Sequence, residues 1–404
     1  GLGDVYKRQV MLFSKKGRKL ALMTACLLAC QACSAETAAQ GTPEKAELTN
    51  YGSWQPVWLD KLQRLNRGGD VKFRIIQLGD SHTAGDYFTN ELRTRLQQQW
   101  GDGGIGWVYP NTVSGQRNAQ VLHSSSGWQV LSNRNARADF PLGGILNRSS
   151  GGGGSVTVNP RTPIGEAQQI TITARPVFAD SELKVHDSQG SQVASLPNLG
   201  SNAWQYFSFT SRLPLSYRAQ AGDIWEIGHI NIENNRPGVI VSAMGINGSQ
   251  LSQWSGWRAD WQQDLSATQA DLVILAYGTN EAFNSHLDMV QTKRIWADTI
   301  HKIREALPGA GILIIGAPES LKGRHGQCGQ RPPYLDAMQQ MQRDIAQQEQ
   351  ILYWSWQAAM GGACSMKSWM AQGLGARDGV HFTAQGYQTA AGKLADDLIK
   401  LANK

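Results

Sequence analysis

The sequence predicts an α/β protein whose parallel sheet is covered on both faces and whose chain is interrupted by a long all-β segment. Apolar runs at residues 71–78, 239–244, 272–276, 312–315 and 351–354 alternate with stretches of helical period. Strands buried on both faces read as near-continuous apolar runs, and parallel neighbours need helical crossovers between them. Between residues 101 and 237 the helical period vanishes. Short alternating runs such as 169–173 and 224–227 are instead spaced by Gly and Ser, the pattern of an antiparallel sandwich. Because the α/β rhythm resumes afterwards, the β segment is inserted into one α/β domain.

Taken in order, residues 36–52 are polar, and residues 54–65 carry apolar side chains at helical spacing that stops at Gly68 and Gly69. The strand at 71–78 runs into Gly79-Asp80-Ser81-His82, and a helix comes next over 84–100. Four glycines at 151–154 lack the Lys-Ser/Thr and helix of a phosphate loop and read as a flexible loop. Later helices are expected near 251–269, 287–307, 334–350 and 383–402. The domain reading is thus 1–35 targeting segment, 36–108 opening of the α/β domain, 109–237 inserted β-sandwich-like domain and 238–404 the remainder.

The 404 residues suffice for two or three domains at roughly 100–200 residues each, and 41% hydrophobic with 17% charged residues excludes a disordered chain or a polytopic membrane protein. The formal charge of +6 suggests an anionic partner until it is located. Lys7, Arg8, Lys15, Lys16, Arg18 and Lys19 face a single acid, Asp4, so about five of the six charges lie in the first 35 residues. The rest of the chain is nearly neutral, and nucleic acid is not an expected partner. Residues 15–30 read as the basic and apolar regions of a secretory signal, with an apolar run too short to span a membrane. Residues 1–10 precede an initiator context at Met11 and read as non-native. Leu27-Leu28-Ala29-Cys30 resembles a bacterial lipobox, which makes Cys30 a candidate for lipidation; plain cleavage near Ala35 is the alternative.

Cys26, Cys30 and Cys33 lack the further ligand of a zinc site, so no metal is expected there. Cys328 and Cys364 are the thiols of the mature body. In an oxidising compartment they are expected to pair, closing a loop worth about 3–4 kcal/mol by chain entropy; two buried free thiols are the alternative.

Four islands sit where strands end, the region in which open parallel sheets bind ligands. Ser81 lies in a strand-to-helix turn that exposes its hydroxyl, Gly245-Ile246-Asn247-Gly248 comes after one strand, Asn280 after another, and Asp378-Gly379-Val380-His381 precedes the last helix. Each alone reads equally as a cap, a turn or a surface pair. In this order they resemble the four blocks, Ser, Gly, Asn and His, of the SGNH or GDSL-type hydrolases. The extended first block Gly79–Asp86, the exported start and the β insertion are similar to the peptidoglycan O-acetylesterases of that family. One departure is Glu281 after Asn280, where Asp is common.

The resemblance implies a three-layer flavodoxin-like fold with a carbohydrate-binding-module-like insertion and acyl transfer without a cofactor. Asp378, His381 and Ser81 would form the triad, and Ser81, Gly248 and Asn280 the oxyanion hole, with Gly248 preferred to Gly245 by the family's second block. His82, beside the nucleophile, is expected to be structural. The implied partner is O-acetylated peptidoglycan in the periplasm of a Gram-negative bacterium, with the outer-membrane surface reached through a lipid on Cys30. An acetyltransferase passing the acyl group to a glycan hydroxyl shares the same triad. A glycan-binding lipoprotein without activity is the further alternative.

Overall fold

The computed structural model describes residues 48–52 and 57–404; Cys26, Cys30, Cys33 and the rest of the targeting segment lie outside them. The central sheet has six strands in the order Thr49–Asn50, Leu352–Ser355, Gly311–Gly316, Leu272–Ala276, Lys72–Gly79, Gly238–Gly245. All its neighbours pair parallel except the two-residue edge strand. The strands Leu272–Ala276 and Gly311–Gly316 are buried at every position, which is why they read as unbroken apolar runs.

Helices Val57–Asn66, Tyr87–Trp100 and Ala384–Ala402 pack on one face of this sheet, where Trp58, Leu62, Phe88, Leu92, Leu394 and Leu398 share a core with Phe73, Ile75 and Ile274. Helices Trp261–Ala267, Met289–Ala306 and Leu335–Gln348 cover the other, with Trp296, Ile300 and Ile345 against Ile76, Leu275 and Ile314. In Met289–Ala306 the buried positions Thr292, Trp296, Thr299, Ile300 and Ile303 recur at helical spacing and leave charged residues outward. The result is the three-layer α/β architecture expected.

The intervening segment forms two antiparallel sheets, of five and six strands, around its own core of Val156, Val158, Ile172, Tyr217, Trp225 and Ile230. The strand Gly104–Val108 joins the larger sheet by pairing with Ile224–Glu233. Trp107 and Trp204 are buried in the core shared with the α/β body, so their rings fill space between the layers.

Two expectations are corrected. The glycine run is not a loop: residues 152–154 begin the strand Gly152–Pro160, where a side chain on Gly154 would collide with the Ser126 carbonyl oxygen at 2.3 Å. The helix expected over 251–269 is a 3-10 turn, Leu251–Gly256, and a separate helix, Trp261–Ala267. Trp257 between them is extended, and its ring stacks on Trp254 at 4.4 Å. The tryptophan spacing that mimics one helix is thus met by a stacked cluster.

Candidate active site

Strand register assembles three of the four islands. Gly245 pairs with Gly79 and Gly79 with Ala276, so three adjacent strands end level with one another. Each terminus then projects its succeeding residues into one space. Close approach at this edge requires glycine: a Cβ on Gly79 would lie 2.2 Å from Thr83 Oγ1 and 2.7 Å from the Ala276 oxygen, and one on Gly245 would lie 2.3 Å from the Ala84 nitrogen.

Beyond Gly79 the chain turns at once into the helical segment Ser81–Ala84. Asp80 caps it: its carboxylate accepts from the His82 N–H at 2.9 Å, and its carbonyl accepts from Thr83 and Ala84. Burial raises the Asp80 carboxyl to about 7, opposed by that hydrogen bond and by the nearby His381. Ser81 opens the turn, half-exposed, with its Oγ 2.8 Å from His381 Nε2. On the other side of the ring, His381 Nδ1 lies 2.6 Å from Asp378 Oδ2. The other carboxylate oxygen, Oδ1, accepts from the Val380 and His381 N–H groups at 2.9 Å each, so the backbone aims the carboxylate at the ring.

Burial pulls the His381 pKa down, but the hydrogen bond to Asp378 and its charge outweigh this and leave it raised above 6.5. Asp378 moves the opposite way. Burial raises it, but the bond to His381 and the two backbone donors hold it well below the usual carboxylate range. A hydroxyl, an imidazole and a carboxylate in this line can pass a proton from the hydroxyl to the ring and hold the ring in one tautomer. The segment carrying the pair is itself held, since the Leu321 N–H donates to the Gly379 carbonyl at 2.7 Å and the Ala376 N–H to that of His381 at 2.9 Å. Cys328 and Cys364 form the expected disulfide. Buried Glu319 accepts two bonds from Arg331, one from Gln357 and one from the Cys364 N–H, which knits the loops under the site together.

Gly248 stands at the tip of a turn closed by the Ser249 N–H on the Ile246 carbonyl, with φ +76°, and its N–H has no acceptor among the described residues. Gly245, the other glycine of that island, is packed against the turn Asp80–Ala84, and its carbonyl accepts from Tyr109 and Gln116. One N–H of the Asn280 amide donates to the Ser249 carbonyl at 2.9 Å, which leaves the other for a ligand.

Glu281, noted in the sequence only as a departure, fastens these two islands to each other. One carboxylate oxygen accepts from the Leu251 N–H and the other from the Gly278 N–H, both at 3.0 Å. Its extra methylene, compared with Asp, gives it reach to both. Burial raises its carboxyl to about 7, against the pull of those bonds.

His82 is buried, with Nδ1 2.8 Å from the Tyr387 hydroxyl, and stands behind His381 among Trp356, Phe382 and Tyr387. Burial holds its pKa well below 6.5, so the ring is a neutral wall of the site.

Two family models match. Residues 103–216 match the N-terminal domain of peptidoglycan O-acetylesterase, and residues 209–389 match the GDSL-like lipase/acylhydrolase family. A solved structure of a peptidoglycan O-acetylesterase is 53% identical with a TM-score of 0.82, covering 88% of this chain and 99% of that one. Two others are more distant. A putative GDSL-like lipase from Parabacteroides merdae is 19% identical, with a TM-score of 0.33 over 41% of this chain and 74% of that one. A family two carbohydrate esterase from Cellvibrio japonicus is 12% identical, with a TM-score of 0.30 over 70% and 99%. No curated protein sequence matches.

Proposed function

We propose, because the chain belongs to the peptidoglycan O-acetylesterase family, that it is a serine esterase removing O-acetyl groups from peptidoglycan through an acyl-enzyme intermediate. The observation that carries this reading is the continuous line from Asp378 through His381 to Ser81, at 2.6 and 2.8 Å, at the end of a parallel sheet.

In this reading neutral His381 Nε2 takes the proton of Ser81 as Oγ bonds to the acetyl carbonyl carbon. The carbonyl oxygen becomes an oxyanion, received by the N–H groups of Ser81 and Gly248 and by the free N–H of Asn280. Collapse expels the sugar oxygen, which takes the proton back from His381. Water then attacks the acetyl-serine with the same base, releasing acetate. Asp378 keeps the Nδ1 proton in place and stabilises the imidazolium formed twice per cycle.

Asn280→Ala, which removes one oxyanion donor and leaves the triad, is expected to lower kcat about 10²–10³-fold with little change in KM, as read by steady-state kinetics on an aryl acetate.

A wall polymer as substrate places the enzyme outside the cytoplasm. Within that compartment we assign it to the periplasm, held at the outer membrane by a lipid on Cys30. The experiment that tests the substrate is acetate release from O-acetylated peptidoglycan and from soluble xylan acetate at matched ester concentration. The reading expects a higher kcat/KM on peptidoglycan; a preference for xylan would overturn the substrate while leaving the acyl-transfer chemistry.

A further inference from the structure

Arg134 enters the site from the β insertion. Its guanidinium lies on the α-carbon of Gly248: a Cβ built on that glycine would be 2.9 Å from Nη2, 3.5 Å from Cζ and 3.6 Å from Nε. The glycine therefore makes room for the cation as well as adopting the left-handed turn. Arg134 is half-buried, and among the described residues no carboxylate pairs with it and no group accepts a hydrogen bond from its side chain. A guanidinium has five N–H donors in a planar fork and stays charged, so a half-buried one without an acceptor is a fork awaiting a planar anion.

The backbone of the turn that carries it is fixed. Asn133 donates its N–H to the Gly144 carbonyl and its side-chain amide to the Gln253 carbonyl, at 2.9 Å each. Asn135 and Ala136 close the turn on the Ser132 carbonyl at 2.9 Å. The insertion is thereby pinned to the 3-10 turn Leu251–Gly256 of the α/β body, and the turn carries the Arg134 guanidinium beside Gly248.

We propose that Arg134 is a specificity-determining residue which binds a carboxylate of the substrate next to the acetyl group being removed. This rests on the assignment of Gly248 to the oxyanion hole. Peptidoglycan supplies carboxylates from two sources, the stem peptide where it is attached and the lactyl group of muramic acid where the stem is absent and its amide bond is not made, whereas chito-oligosaccharides supply none. A carboxylate accepting two parallel N–H bonds from Arg134 fixes the orientation of the sugar relative to Ser81, and neutral acetyl sugars lack that hold.

The test compares wild type, Arg134→Gln and Arg134→Lys by kcat/KM on three substrates. These are O-acetylated peptidoglycan with intact stems, the same material after amidase treatment has left only lactyl carboxylates, and an acetylated chito-oligosaccharide. Arg134→Gln is expected to lower the ratio of carboxylate-bearing to neutral kcat/KM about 10- to 100-fold, chiefly through KM, as for loss of a charge-assisted hydrogen bond. Arg134→Lys, which keeps the charge and loses the fork, is expected to fall between. Loss confined to the stem-bearing polymer assigns a carboxylate of the stem peptide, and loss on the stripped glycan assigns the lactyl carboxylate that amidase frees. Equal losses on all three substrates, or none, would overturn the proposal. Ser81→Ala in the same series keeps the two ideas apart, since activity surviving in it contradicts the acyl-enzyme reading and leaves the Arg134 ratio to be judged by itself.

Discussion

Ser81→Ala protein is expected to hydrolyse acetyl esters about 10⁶-fold more slowly than wild type, with its fold intact. The size reflects the groups removed. Without Oγ no acyl-enzyme forms and His381 has no hydroxyl to deprotonate, so only the oxyanion donors remain to aid direct attack by water. Among the described residues the Ser81 side chain makes one polar contact, to His381, and it is half-exposed, so truncating it leaves no cavity and no buried unpaired group. Kinetics on an aryl acetate measure the loss, and an unchanged melting temperature assigns it to chemistry.

Asp378→Asn is expected to cost about 10⁴-fold in kcat, because an amide at Nδ1 no longer enforces the tautomer in which Nε2 accepts. The substitution also carries a pH signature that a merely structural defect would not. In wild type the hydrogen bond and charge of Asp378 outweigh burial and raise the His381 pKa above 6.5, so activity falls as acid passes that raised value. With asparagine the two raising causes due to Asp378 vanish while burial and the lesser pull of Asp80 remain, so the inflection of log kcat/KM moves to lower pH. Stability obeys the same linkage. Asp378, depressed in the folded state, contributes above its unfolded value of 3.8 and loses that contribution as pH falls through the folded value. His381, raised in the folded state, contributes fully below 6.5 and loses it as pH rises through the folded value. The stability difference between wild type and Asp378→Asn is therefore largest between about pH 4 and 6.5, and chemical denaturation across that range reads it.

The parts of the site legible in the sequence are those whose signal is local. Ser81, Asn280 and the 378–381 island each adjoin an element whose apolar pattern is unmistakable, and strands such as Leu272–Ala276 look apolar because both faces are buried. Interactions that depend on register or on the insertion were not legible. Glu281 appears in the sequence as an ordinary acid, and only the packing of two strand ends gives it the Leu251 and Gly278 N–H groups. Arg134 lies 53 residues after Ser81 in a stretch without motif, and no spacing rule connects it with Gly248. The glycine run misled for a related reason: a strand made of glycines against a neighbouring backbone has no side-chain period to read. Trp254, Trp257 and Trp261 misled in the opposite sense, because ring stacking reproduces helical spacing without a continuous helix.

The central claim is that Ser81 carries the acetyl group between substrate and water, and acid quenching during turnover of an acetyl ester, with subsequent peptide mapping, addresses it most directly. The acetyl group is predicted on the peptide containing Ser81 in wild type, with no acetyl adduct and no turnover in Ser81→Ala. An acetyl group on a different side chain, or repeated turnover by Ser81→Ala, would contradict the account.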